Sequence, residues 1–209
     1  MTAVHDHPAG NTARVEAFSD GVMAIAITLL VLNLHVPTGA EVDAAGGLLP
    51  ALGQNWPAYI AYLASFVTIG IIWLNHRALI DVIAQFDRTL HWLNLMLLLG
   101  VVTLPFSTAL MAEYVGEGGP NASVAAALYG TLALFMALPW TFIWLHLRNT
   151  PALLEPGYDA AHAEQAIRRN IFGPAIYLVA AVVAFAAPLV SLALYALIAA
   201  FFAGIRQAD

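Results

Sequence analysis

The chain has 209 residues, of which 61% are hydrophobic and only 10% are charged. Soluble domains carry about 25% charged residues, so this chain has too few charges to cover a water-exposed surface. The composition argues against a soluble enzyme, a nucleic-acid-binding protein and a disordered regulator. The absence of cysteine excludes a disulfide framework and any thiolate site. A polytopic membrane protein is the class that fits.

Six apolar runs are long enough to be transmembrane helices, each of which needs about 20 apolar residues. The first four cover residues 15–36, 56–75, 90–111 and 124–147. The last two share the block 171–205, which is interrupted at Pro188 and fits a hairpin of two short spans. We therefore predict an all-α fold with six transmembrane helices. Residues 13–209 form one membrane domain, and residues 1–12 form a disordered cytoplasmic tail.

The basic residues fix the predicted orientation, because every one of them falls on the same side of a six-span chain. They are Arg14, Arg77, Arg88, Arg148, Arg168, Arg169 and Arg206. The charged residues of the opposite loops are all acidic, namely Glu41, Asp43, Glu113 and Glu117. Under the positive-inside rule, both termini are cytoplasmic. A five-span chain would place Arg206 outside, so the charge pattern favours six spans.

The first span has two chemically different faces. At about 100° per residue, Ile25, Thr28, Leu29 and Leu32 share a sector about 100° wide. Phe18 and Gly21 extend this sector toward the cytoplasm, whereas Ser19 and Asp20 point away from it. An aliphatic stripe of this kind is also typical of ordinary packing or of a lipid-facing surface.

Asp20 is an ionisable residue within a span and therefore needs a partner. It either is a satisfied structural charge or holds the helix in register and takes part in gating. We predict a polar network at the cytoplasmic ends of the first two spans. Its members are Arg14, Ser19, Asp20, Asn75, His76 and Arg77. His76 either titrates near neutral pH and modulates gating or donates a structural hydrogen bond.

The first three spans carry distinctive motifs. The first helix reads RVEAFSDG from Arg14 to Gly21, followed by AIAITL from Ala24 to Leu29. The second span ends in WLNHR from Trp73 to Arg77. The third contains LNL at 93–95 and LPF at 104–106. Together these motifs resemble the transmembrane protein 175 family, the endosomal–lysosomal potassium channels and their bacterial relatives, and the resemblance covers nearly the whole chain.

The resemblance implies a potassium-permeable channel in which four first helices surround a central pore. With one repeat per chain, the assembly is a homotetramer. Ile25 then forms the narrow hydrophobic constriction, Leu29 and Leu32 form the next apolar layers, and Thr28 contributes to cation selectivity. The filter sequence Thr-Val-Gly-Tyr-Gly is absent, so selectivity comes from pore width and hydroxyl dipoles.

The expected partners are potassium ions and the lipid bilayer, with no nucleic acid, no cofactor and no metal beyond the permeating ion. A single-repeat chain fits a bacterial or archaeal plasma membrane. Two alternatives are a secondary transporter and a proton-permeable channel. An intramembrane enzyme is disfavoured because neither a Gly-x-Ser-x-Gly stretch nor a His-Glu-x-x-His motif occurs.

Overall fold

The computed structural model describes the backbone of residues 9–158 and 160–204, and the side chains of 12–158, 161–168 and 172–200. Its helices are α1 (Ala9–Leu29), α2 (Gly39–Ala45), α3 (Leu48–Gln54), α4 (Trp56–Asp81), α5 (Arg88–Tyr114), α6 (Gly119–Asn149), α7 (Ala160–Val183) and α8 (Pro188–Gly204). Short 3₁₀ turns, Leu30–Asn33 and Pro151–Leu153, follow α1 and α6. The described residues contain no named β-strand, so the all-α fold class is confirmed.

Five helices are long and apolar enough to cross a membrane. They cover Thr12–Asn33, Trp56–Asp81, Arg88–Tyr114, Gly119–Asn149 and Ala161–Val183. The apolar part of α8, Pro188–Ala200, is shorter than these five. The block 171–205 does divide near Pro188, where α7 ends and α8 begins. The chain is a multi-pass membrane protein, and a sixth crossing by α8 stays a prediction.

Four helices, α1, α5, α6 and α7, start earlier than the sequence pattern predicts, and the difference is largest for α7 and α1. α7 begins at Ala160 rather than at 171, so Arg168 lies in a helix and not in a loop. The segment 160–169 is rich in strong helix formers, and Glu164 pairs with Arg168 one turn later, with Arg168 Nε 3.8 Å from Glu164 Oε1. α1 begins at Ala9, within the stretch predicted to be a tail. Residues 1–8 lie outside the described residues.

Small residues let the central helices approach closely. A Cβ atom at Gly100 of α5 would lie 2.6 Å from Met136 Cα of α6, which is too close for two carbon atoms that are not bonded, so only glycine fits at this position. Gly130 of α6 has the same relation to Ala181 of α7, with a Cβ-to-Cβ separation of 2.7 Å. Such contacts are the usual source of stability between helices in lipid, where burial of apolar surface supplies little driving force.

Loop contacts define the two ends of the bundle. At one end the α4–α5 loop pairs with the chain after α6: Ala84 N donates to Leu153 O (2.9 Å), and Glu155 N donates to Val82 O (3.0 Å). Arg77, Arg88 and Arg148 belong to this end. At the other end Thr38 and Glu41 form a capping box that starts α2. The acidic residues that the sequence assigned to the opposite loops belong to this second end.

Candidate pore-lining helix and its polar supports

One face of α1, continued by the 3₁₀ turn Leu30–Asn33 that belongs to the same span, packs into the bundle. Its buried residues recur every three or four positions, as one helical face requires. They are Val15, Ser19, Met23, Ala26 and Leu30. The last three belong to the main core, together with residues of α4 and α5. This face therefore fixes how α1 sits on its two neighbouring helices.

The opposite face of α1 is uncovered in the single chain and carries every residue predicted to line a pore. Ile25 is 62% exposed and Leu32 is 75% exposed, whereas Ser19 on the packed face is fully buried. Phe18, Gly21, Thr28 and Leu29 share the exposed face. The helix thus presents an apolar stripe with a single hydroxyl in it, held on a scaffold that contacts only its back.

Thr28 is the polar member of this stripe, and its hydrogen bond determines what it can offer an ion. Its hydroxyl donates to the carbonyl oxygen of Ile25 at 2.8 Å. Because the proton is used within the helix, the lone pairs of Oγ1 remain available on the exposed side. Thr28 can therefore act as an acceptor toward a cation.

A buried chain of three polar side chains ties α1 to α4 and α5. Nε2 of His76 lies 2.8 Å from Oδ1 of Asn94, and Nδ2 of Asn94 donates to Oγ of Ser19 at 3.0 Å. Since the Asn94 oxygen can only accept, His76 carries its proton on Nε2. All three residues are at most 5% exposed. In a low-dielectric interior such a chain strongly favours one arrangement of the three helices.

Asp20 has a different partner from its neighbour Ser19. The indole Nε1 of Trp73 donates to Oδ1 of Asp20 at 2.9 Å. Two adjacent residues of α1 thus contact two different helices: Ser19 is bound by Asn94 of α5, and Asp20 is bound by Trp73 of α4. The carboxylate is half-buried, and this bond supplies the partner that an ionisable residue within a span needs.

The predicted polar network is therefore only partly present in the structure. Ser19 and His76 belong to it, but they meet through Asn94, which the sequence reading did not include. Arg14 and Arg77 are exposed, and neither makes an ion pair or hydrogen bond with the described residues. Asn75 instead faces a cleft between α4, α6, α7 and α8. The sequence feature that could have identified Asn94 as a member of the network is its polar amide side chain inside the third apolar run.

A second polar contact holds the far end of α1. Nδ2 of Asn33 donates to the carbonyl oxygen of Pro105 in α5 at 2.7 Å. Sequence reasoning missed this pair, although Pro105 lies in the LPF motif. Polar contacts therefore secure both ends of the helix, with the exposed stripe between them.

No group of three or more His, Cys, Asp or Glu side chains in the described part of the chain is arranged to hold a metal ion.

Comparisons with known proteins agree with this architecture. A family model described as endosomal/lysosomal potassium channel TMEM175 matches residues 14–105. A protein of Streptomyces collinus named potassium channel is 42% identical over 191 residues, which are 91% of this chain and 91% of that protein. The endosomal/lysosomal proton channel TMEM175 of Gallus gallus is 37% identical over 145 residues, covering 66% of this chain and 29% of its own length.

A solved structure is similar over almost the whole chain. It is the crystal structure of a lysosomal potassium-selective channel TMEM175 homolog from Chamaesiphon minutus, with a TM-score of 0.82 and 36% identity over 93% of this chain and 97% of that one. The family and these relatives are ion channels and not enzymes. With motifs, helices and overall fold in agreement, the chain belongs to the TMEM175 family of ion channels.

Proposed function

We propose that this protein is a potassium-permeable channel of a bacterial or archaeal plasma membrane, formed by four copies whose α1 helices surround a central pore. The observation that carries the proposal is the uncovered face of α1. It exposes a line of large aliphatic residues and one hydroxyl, while the opposite face is fixed by packing and polar contacts. The similarity to proteins named potassium channels supports the choice of ion.

Within this pore Ile25 forms the constriction, and Leu29 and Leu32 form apolar layers further along. A ring of aliphatic side chains closes a pore by dewetting, because water makes few hydrogen bonds there. Four Thr28 oxygens next to that ring offer acceptors to a dehydrating cation. Selectivity then depends on width and hydroxyl dipoles in place of stacked carbonyls.

The polar contacts behind α1 set the rotation of each pore helix. Ser19 and His76, joined through Asn94, and Asp20, joined to Trp73, hold the helix at the level of Phe18. A small rotation of α1 that widens the Ile25 ring would have to strain or exchange these bonds. Arg14, Asn75 and Arg77 lie near the same end, and none of them makes a hydrogen bond or ion pair with the described residues.

The proposed channel domain spans residues 13–209 and crosses the membrane six times, with α8 as the short sixth span. The arginine-bearing end of the bundle faces the cytoplasm, together with both termini. The acidic end faces outward, where its carboxylates raise the local concentration of cations at the pore mouth.

A proton-permeable channel is the second candidate, because the related chicken protein is named a proton channel. A secondary transporter is the third. Liposomes that contain the purified protein separate the three functions. A channel passes potassium down its gradient without a coupled solute, whereas a transporter saturates or needs a second solute. Proton permeation is measured as internal acidification under a pH gradient in potassium-free buffer.

The decisive variant is Ile25→Asn, which hydrates the constriction. We expect a basal potassium flux several-fold above wild type, with less discrimination against sodium. Ile27→Asn is the matched control, because Ile27 is half-buried and packs against the core. It should lower thermal stability and leave selectivity unchanged. Equal flux and selectivity in wild type and Ile25→Asn would exclude the α1 stripe as the constriction.

A further inference from the structure

A cleft of about 90 Å³ lies between α4, α6, α7 and α8, and none of its described lining residues comes from α1 or α5. Its walls are mostly apolar, with Ile72, Met136 and Pro174 among them. Four polar side chains also line it, namely Thr68, Asn75, Trp140 and Tyr177. Apolar walls with a few convergent polar groups are typical of a binding site for a small or amphiphilic molecule.

The hydrogen bonds of these four polar groups are not all satisfied within the protein. Thr68 donates to the carbonyl of Ala64 at 2.7 Å. The amide of Asn75 and the indole N–H of Trp140 have no partner among the described residues. Unpaired donors are costly at membrane depth because no bulk water can satisfy them. A molecule that supplies a hydrogen-bond acceptor to these two donors would therefore be bound favourably in the cleft.

The position of Asn75 indicates which acceptor it meets. It precedes the exposed Arg77 by two residues, which is about 3 Å along a helix. An arginine at the end of a span extends its guanidinium into the headgroup layer. Asn75 then lies just below that layer, at the border with the hydrocarbon. The ester carbonyls of phospholipids occupy this border.

Charge narrows the choice of acceptor further. The described lining residues include no Lys, Arg or His, so the site offers no cation to pair with a carboxylate or a phosphate. A neutral ester carbonyl therefore suits the site better than either anion.

We propose that this cleft binds the upper part of one acyl chain of a membrane phospholipid. The ester carbonyl accepts hydrogen bonds from Asn75 Nδ2 and Trp140 Nε1, and the first methylenes contact Ile72, Met136 and Pro174. The bound chain braces α4 against α6 and α7. This proposal concerns lipid binding and does not depend on which ion the protein conducts.

Photolabelling of the full chain in liposomes tests this site. The probe is a phosphatidylcholine with a diazirine within the first few carbons of one acyl chain, and labelled residues are mapped by peptide mass spectrometry. Val179 is exposed on α7 and reports general contact with lipid. We expect labelling of Met136 and Ala137 in the cleft at a yield above that of Val179.

Gly173→Leu should block the cleft, because Gly173 lines it and a Cβ there would have no heavy atom within 4 Å. Cleft labelling should fall to or below the Val179 level, while Val179 labelling stays constant. Ala175→Leu is the control, since Ala175 lies exposed on the same helix outside the cleft. It should leave cleft labelling unchanged.

Asn75→Leu is an independent variant that removes a donor without filling the space. It should reduce cleft labelling by about fivefold, as expected for one neutral hydrogen bond.

A free fatty acid also carries an acyl chain but has a carboxylate in place of the ester. Competition with an unlabelled free fatty acid therefore distinguishes it from the phospholipid as the occupant. Displacement of the probe by the fatty acid at equal concentration would overturn the ester assignment. Cleft labelling no higher than that of Val179 in wild type, or unchanged in both variants, would overturn the site.

Discussion

The indole nitrogen of Trp73 donates a hydrogen bond to a carboxylate oxygen of Asp20 at 2.9 Å, linking α4 to α1. One residue before Asp20, Ser19 receives a hydrogen bond from Asn94 of α5. Two adjacent residues of α1 thus fix the helix relative to two neighbours at once. A rotation of α1 about its axis cannot preserve both bonds, so the pair acts as a rotational lock on the exposed stripe.

The first prediction concerns this bond. Asp20→Ala and Trp73→Phe should each lower the free energy of unfolding by about 1.5–3 kcal/mol, the usual range for a hydrogen bond to a charged group. The double variant should lose little more than either single one, because both changes remove the same contact. Asp20→Asn keeps an acceptor oxygen and should lose less. Unfolding in detergent measures all four, and strict additivity would contradict the bond.

The second prediction concerns Asn94, the link between Ser19 and His76. Asn94→Leu has a similar volume but leaves two buried polar side chains without a partner. We expect a loss of about 2–6 kcal/mol, because each of the two unsatisfied groups costs about 1–3 kcal/mol. Adding Ser19→Ala to Asn94→Leu should restore part of the stability, since one orphaned hydroxyl is removed. A double variant less stable than Asn94→Leu would show that Ser19 has another role.

The third prediction is the orientation of the bundle. The chain contains no cysteine, so single cysteines can be introduced without background. Cysteines at Gln85 and Glu155 should resist an impermeant thiol reagent in intact cells if the arginine-bearing end faces the cytoplasm, as we propose. Cysteines at Asp43 and Glu117 should react. All four residues are exposed, so accessibility within the fold does not limit labelling. The reverse pattern would invert the proposed topology.

Residues close in sequence were easier to predict than residues brought together by the fold. The apolar runs gave the main helices, and helical spacing gave the faces of α1, because both signals are local. The partner of Asp20 lies 53 positions away and that of Asn33 lies 72 away. No periodicity encodes such pairs. The early start of α7 was missed because hydropathy marks where a helix enters lipid and not where it begins.

The fourth prediction concerns the capping box at the acidic end. The hydrogen bond from the Thr38 backbone N–H, followed by those from the His35 and Thr38 side chains, lowers the pKa of Glu41 from 4.5 to about 2. A carboxylate with a lowered pKa stabilises the fold fully above its unfolded pKa and loses that effect as the pH falls. Amide protection in α2, corrected for intrinsic exchange, should therefore be constant down to about pH 5.

Below that pH, protection of residues 39–45 should decline as the pH approaches 2. Glu41→Gln is the control, because its side chain does not titrate in this range. Its protection should be lower at neutral pH and should not change between pH 5 and 2. Hydrogen exchange followed by mass spectrometry measures both proteins. An identical acid profile in the two would exclude Glu41 as the titrating group.

The last prediction separates the hydroxyl of Thr28 from its shape. Thr28→Val is nearly isosteric but removes Oγ1, whose proton is already donated to Ile25 and whose lone pairs are free. The variant loses the hydrogen bond to Ile25 as well as the acceptor that faces the ion. Because the acceptor is lost, the potassium-to-sodium permeability ratio should fall about fivefold, the equivalent of one weak polar contact per permeating ion. Basal wetting of the Ile25 ring should change less. Thr28→Ser keeps the oxygen and should retain most of the selectivity.

Reversal potentials under bi-ionic conditions in planar bilayers measure the potassium-to-sodium permeability ratio directly. If all three proteins give the same reversal potential, Thr28 does not contact the permeating ion, and another helix, most simply α4, must line the selective part of the pore.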